Sequence, residues 1–132
     1  MSNKEAIAQA FLGLGEGNAG PLVELLAENV TWTLIGSTAW SGTLNGRDEL
    51  LSKLAAPLAA ALANPPTLVV KRMIAEGDFV VVESQGRNRT HSGKDYNNTY
   101  CMIFRLAGGA IEEVTEYLDT ALVDAILDPP QR

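Results

Sequence analysis

The sequence predicts an α+β domain in which helices pack on one strongly curved sheet. Three observations lead there. Helical periodicity opens the chain and returns after Arg47, while most of the second half reads as strands. Two long strand-like runs, Tyr96–Leu106 and Ala110–Asp119, are joined through Gly108-Gly109, the grammar of a β-hairpin. Polar groups interrupt those runs: Asn98, Glu116 and the Tyr100 hydroxyl stand where a purely structural hairpin takes aliphatic residues. A curved sheet closing around a polar-lined pocket accounts for them. A sheet that only buries a dry core does not.

Each element follows from local chemistry. Ser2 or Asn3 caps a helix over residues 3–14, with Ala6, Ile7, Ala10, Phe11 and Leu14 at helical spacing. Glycines at 13, 15, 17 and 20 break it, without the pattern of a phosphate loop. Pro21 suits the first turn of a second short helix through Leu26, ended by Glu28-Asn29. Val30–Leu34 alternates as a strand, and Trp40–Leu44 pairs back after the Gly36-Ser37-Thr38 turn. Arg47-Asp48-Glu49 opens an amphipathic helix with Leu50, Leu51, Leu54, Leu58 and Leu62 on its apolar side. Pro57 is placed to kink it, and Asn64-Pro65-Pro66 stops it. Strands follow at Leu68–Ala75 and Phe79–Arg89, then the closing hairpin, then a short helix over Leu118–Leu127.

Composition narrows the function. The 132 residues fit one domain; 46% are hydrophobic and 20% charged, ordinary for a globular protein. Net charge is −6 and no Lys/Arg stripe is present, which argues against nucleic acid and against an anionic membrane surface as partners. Cys101 is the single cysteine, so no disulfide forms within the chain, and a small buried hydrophobe is the ordinary role for it. The one histidine, His91, sits in a polar loop. No ligand spacing suggests a metal. Residues 1–6 lack the basic-then-apolar order of a signal peptide and no apolar run is long enough for a membrane span, so the default expectation is the cytoplasm.

Two stretches carry a family likeness: Leu26-Ala27-Glu28-Asn29-Val30-Thr31-Trp32, and Tyr96–Cys101 together with Gly109–Asp119. With the element order, they make the chain resemble the nuclear-transport-factor-2-like superfamily. Within it, the chain looks like the SnoaL-like polyketide-cyclase and ketosteroid-isomerase-related branch. The likeness implies a single domain over residues 1–132. It would be a cone-shaped half barrel of about six mainly antiparallel strands, with three to four helices on the concave side. It also implies a homodimer through the outer sheet face, for which Thr99, Cys101, Ile103, Ile111, Thr115 and Tyr117 are the expected outward residues.

Placing Glu116 inward, as related epoxide hydrolases place an acid, makes Val114 and Leu118 its neighbours on that face. Alternation then points Asn98, Tyr100, Met102 and Phe104 into the cone, with Trp32 and Leu34 from the first strand. On the fourth strand the expected inward set is Phe79, Val81, Glu83 and Gln85. The result is a mostly apolar cavity with a few convergent polar groups, the usual make-up of a small-molecule site.

The residue sets of known mechanisms test this reading. The base, tyrosine and aspartate of ketosteroid isomerases align near Leu34, near Ala10 or Phe11, and near Met102, none of which can do that chemistry. The acid–arginine–acid set of limonene-type epoxide hydrolases lacks its cation, since the matching positions fall near Glu83 and Gln85. A cyclase-like proton shuttle needs only one acid in an apolar pocket. Glu116 suits it, with Asn98 or Tyr100 donating to an oxyanion.

Two readings stand for each polar residue. Glu116 is a general acid or base, or a carboxylate satisfied by Asn98, Tyr100 or a backbone amide. Glu83 is a second acid of the pocket, or solvated on the other face. Asn98 and Tyr100 orient a ligand, or tie strands together. Trp32 and Trp40 wall the pocket, or fill the core. Two functions follow. One is a cofactor-free isomerase or cyclase-like enzyme acting on a modest, largely apolar carbonyl compound. The other is a non-catalytic ligand-binding or dimerisation module.

Overall fold

The computed structural model describes residues 1–131. Ser2 caps helix α1 (Asn3–Gly15) by accepting from the Glu5 amide, and the helix buries Ile7, Ala10, Phe11 and Leu14. Gly17, at φ 77°, turns the chain where a side chain would be strained. Helix α2 (Gly20–Leu25) begins with Pro21 in its first turn, where a missing N–H costs nothing. It stops sooner than its sequence suggests. Leu26 already belongs to strand β1 (Leu26–Leu34), because it pairs with buried Ile111 across the sheet. Tertiary pairing overrides local helix propensity there.

Strand β2 (Gly42–Asn45) folds back on β1, and the chain enters a helical stretch built of α3 (Arg47–Leu50), a π-helical turn (Leu51–Ala55) and α4 (Ala56–Ala61). The wide turn has a local cause. Pro57 cannot donate to the carbonyl four residues back and its ring crowds that turn, and the Ala56 amide reaches back to the Leu51 carbonyl instead. Four strands follow: β3 (Leu68–Glu76), β4 (Phe79–Gly86), β5 (Thr99–Ala107) and β6 (Ala110–Leu118). Helix α5 (Thr120–Ile126) is the last element. Its cap is Asp119, whose carboxylate accepts from the Ala121 and Leu122 amides, so the helix starts after Leu118 and not at it.

The six strands form one mixed sheet in the order β2-β1-β6-β5-β4-β3. The β1–β6 pair is parallel and the other pairings are antiparallel. Register shifts in β1, in β3 and between β5 and β6 bend the sheet into an open, cone-shaped half barrel with helices on its concave side. Phe104 anchors the core between Phe11 and Trp32, edge-to-face with both at centroid distances of 5.8 and 6.3 Å. No helix among the described residues is long and apolar enough to cross a membrane.

Strand β4 departs from its expected facing. Val80, Val82, Ser84 and Gly86 are the buried set, while Phe79, Val81, Glu83 and Gln85 look outward. Phe79-Val80-Val81-Val82 is apolar at every position, so alternation within β4 gives no preference. Pairing decides: Val80, Val82 and Ser84 lie opposite Phe104, Met102 and Tyr100, and directly opposed residues share a face. Ile111 was also expected outside and is fully buried. The bulge between β5 and β6 pairs Leu106 with Ile111 and Arg105 with Glu113, and it turns both Ile111 and Val114 inward.

Candidate functional site

The concave face, α2 and the α3–α4 stretch enclose a cavity of about 310 Å³. Its walls are almost wholly aliphatic, supplied by Leu22, Leu26, Leu50, Leu54, Leu58 and Leu62 among others. The α3–α4 stretch thus turns its leucine side toward the sheet without closing on it. Among the described residues, the polar side chains on its wall are Trp32, Asn88, Tyr96, Tyr100 and Glu116.

Glu116 sits on β6 with only 6% of its surface exposed. Trp32 Nε1 donates to its Oε1 at 2.9 Å, and no other side-chain hydrogen bond or ion pair reaches it among the described residues. Burial pushes its pKa up from the ordinary 4.5 to about 7, and the Trp32 hydrogen bond pulls the other way. An ionised carboxylate has room for about four hydrogen bonds. Here one is filled.

The two phenols lie nearby. Tyr100 is raised well above 10, first by burial and then by the charges of its neighbours. Tyr96 is raised too, again mainly by burial, and its hydroxyl accepts from Asn98 Nδ2 at 3.1 Å and interacts with the Tyr100 hydroxyl. Two phenols in contact use one hydroxyl hydrogen between them and leave the other free.

Asn98 has no capacity left for a ligand. Its Oδ1 accepts from the Thr99 amide at 2.7 Å and the Asp119 amide at 3.0 Å, while Nδ2 donates to Tyr96 and to the Asp119 carbonyl. It staples the start of β5 to the cap of α5 and holds the Tyr96 ring. Gly86 makes room for this staple, since a Cβ there would meet the Asn98 backbone at 3.3 Å. Asn88 is likewise engaged, with its Oδ1 receiving the Thr67 amide and the Asn64 side chain.

Of the residues singled out in the sequence, Trp32, Tyr100, Met102 and Glu116 line the cavity together. Leu34 and Val114 are buried in the core beside it, and Leu118 packs against that core half-buried. Glu83 and Gln85 lie on the outer face and are not pocket residues. Glu83 pairs with Arg72, and Gln85 bonds the Asn97 carbonyl and the Thr99 hydroxyl. Trp40 is core, with its indole donating to the Asp128 carbonyl at 2.9 Å. His91 sits in a separate outer cleft against the Ala60 carbonyl.

Tyr96 and Asn88 are polar lining residues not singled out in the sequence, and Asn88 is already engaged by Thr67 and Asn64. For Tyr96 a signal exists: extending the inward series 98, 100, 102 by one step reaches position 96. The helical wall was legible as a leucine stripe, but nothing in a stripe says that it faces a void.

The comparisons with known proteins agree with this fold. Among proteins of curated function, none matches the chain. An NTF2-like protein of unknown function from Burkholderia pseudomallei is similar in structure, with a TM-score of 0.83 at 20% identity over 97% of this chain and 100% of that one. A putative SnoaL-like polyketide cyclase from a Jannaschia species is similar at a TM-score of 0.78 and 18% identity, covering 98% of this chain and 93% of the other. TerC, co-crystallised with polyporic acid, is similar at 0.80 and 19% identity, over 94% and 96% of the two chains. At such identities the likeness is one of fold. The fold is NTF2-like, and the sequence itself matches the SnoaL-like domain over residues 7–114, so the chain belongs to that family.

Proposed function

We propose that the protein binds a small, largely apolar carbonyl compound in this cavity and that Glu116 exchanges a proton with it as general acid and base. One observation carries the reading: a carboxyl group set in an aliphatic cavity and held by a single oxygen. A group with a pKa of about 7 has both proton states populated near neutrality, the condition for efficient proton transfer in either direction. Oε2 is the oxygen free to act. The spare hydroxyl hydrogen of the Tyr96–Tyr100 pair is the donor for a developing oxyanion, a role that Asn98 cannot take. The cavity volume lies at the low end of small-molecule sites, about 300–1,000 Å³, which suits a compact ligand. The TerC complex with polyporic acid supports a ligand-holding role for the fold.

The test is solvent-deuterium exchange at the acidic C–H of apolar ketones such as tetralone, followed by NMR. The protein should accelerate exchange and Glu116→Gln should abolish the acceleration. Exchange that survives in Glu116→Gln would remove the acid-base role and leave the second reading, a non-catalytic binding module.

The outer sheet face favours a homodimer. Ile74, Val81, Ile103, Thr115, Thr33 and Thr43 lie in register as one row across the sheet, and Tyr117 is 44% exposed beside them. Such a continuous row of apolar and threonine side chains suits burial against a second copy. Sedimentation at micromolar concentration should give a dimer, and Ile103→Lys a monomer.

A further inference from the structure

The chemistry of the cavity wall is one-sided in charge. Among the described residues, Glu116 is the sole carboxylate lining the cavity, and no Lys, Arg or His joins it. Its ionised form would have one hydrogen-bond donor, Trp32, and no counter-charge among the described residues. A buried carboxylate left in that state is costly unless a cation reaches it. The rings of Trp32, Tyr96 and Tyr100 line the same space, and aromatic faces attract cations. The chain carries a net charge of −6, a field that favours the approach of cations and disfavours anions.

We infer that the cavity discriminates by charge and that, among compact apolar molecules, it holds an amine most tightly, with the ammonium donating to Glu116 Oε2 in place of a carbonyl substrate and the hydrocarbon body against the leucine wall. The inference rests on the proposed function only in placing the ligand in this cavity. An ammonium supplies both the missing charge and the missing donors. A carboxylate ligand would set two like charges in a low-dielectric space with no basic residue between them.

Proton balance gives the inference a signature. The ammonium favours the ionised carboxylate, so a protonated Glu116 releases its proton to solvent when the amine binds. Amine affinity therefore rises with pH through the Glu116 titration. The other titratable groups facing the site, Tyr96 and Tyr100, are held above their usual range by burial and stay neutral across that window. Asp119, behind Tyr96, is occupied in capping α5.

The experiment is calorimetric titration of the full chain with phenethylamine, phenethyl alcohol and phenylacetate, which share a ring and differ in charge. At about pH 8 the amine should bind roughly tenfold or more tightly than the alcohol, and phenylacetate weakest of all. The amine's advantage should shrink at about pH 5.5, with proton release detectable as a buffer-dependent heat. Glu116→Gln should make amine and alcohol equal. An alcohol that binds as well as the amine, or an amine preference unchanged in Glu116→Gln, overturns the charge inference while the cavity reading stands. If none of the three binds at millimolar concentration, the charge inference falls, and the ketone-exchange experiment alone decides the cavity reading.

Discussion

Trp32 Nε1 and Glu116 Oε1 meet at 2.9 Å across the parallel β1–β6 pair, and this contact determines which carboxyl oxygen is free. Trp32 lies opposite Val114 in the register and reaches along the sheet to Glu116, whose own partner is Leu34. The indole N–H favours the charged carboxylate and opposes the burial that neutralises it. Trp32→Phe removes the donor and part of a buried ring. The Glu116 pKa should rise above its present value of about 7, seen by NMR titration of its labelled carboxyl carbon. Stability should fall by about 1–3 kcal/mol in urea denaturation. A pKa that drops in Trp32→Phe would mean that the indole does not hold the charged form.

Glu116 also makes folding depend on pH, with a sign opposite to that of most carboxylates. Below 4.5 both folded and unfolded chains are protonated at this residue and it exerts no penalty. As pH rises from 4.5 to about 7, the unfolded chain releases the proton while the folded chain keeps it, so stability falls. Above that range the penalty is complete, about 3 kcal/mol in order of magnitude. Glu116→Gln keeps an acceptor for Trp32 and removes the charge. It should denature at higher urea than the native protein at about pH 8 and match it at about pH 4. Equal midpoints at the higher pH would mean that the carboxylate is already satisfied when ionised.

The legible parts of this molecule were those with a decisive local pattern. The β5–β6 hairpin announced itself through Gly108-Gly109, and both residues take positive φ, at 57° and 81°. Inward facing on β1, β5 and β6 followed from setting Glu116 inward on the family likeness and stepping by two along each strand, and the buried positions agree except at Ile111. Strand β4 was not readable in that way, since its four leading residues are all apolar and pairing with β5 alone sets its face. The β5–β6 bulge, which buries Ile111 and bends the strands, is not marked by any short stretch of sequence. Glu116 was found because a carboxylate in an apolar strand is anomalous. The void beside it was not readable, because a leucine that lines a cavity and one that fills a core look the same in sequence.

Glu83 provides the contrast to Glu116. Its carboxylate lies on the outer face, paired with Arg72 and 42% exposed. Exposed pairs contribute little, because water screens them and both side chains lose freedom. Glu83→Gln should change stability by no more than about 0.5 kcal/mol. It should leave the Glu116 titration where it is. A shifted Glu116 pKa in this variant would show that the two carboxylates are coupled through the sheet.

Asn98 should be among the most sensitive positions of the fold. Truncation to Ala leaves the buried Thr99 and Asp119 amides without their acceptor and the Asp119 carbonyl without a donor. Unpaired buried groups of this kind cost about 1–3 kcal/mol each before relaxation, so Asn98→Ala should lose several kcal/mol, roughly 3–5. Hydrogen exchange adds a local readout: the Thr99 and Asp119 amides should exchange far faster in the variant than amides in β4. The phenol network provides a second one. With Asn98 Nδ2 gone, the Tyr96 oxygen loses a donor that lowers its pKa, and the Tyr96 titration should move further upward. Asn98→Asp keeps the acceptor for both amides and removes the donor. It should recover part of the amide protection, since an oxygen now faces the Asp119 carbonyl, and leave Tyr96 shifted, which separates the acceptor role of the staple from its donor role.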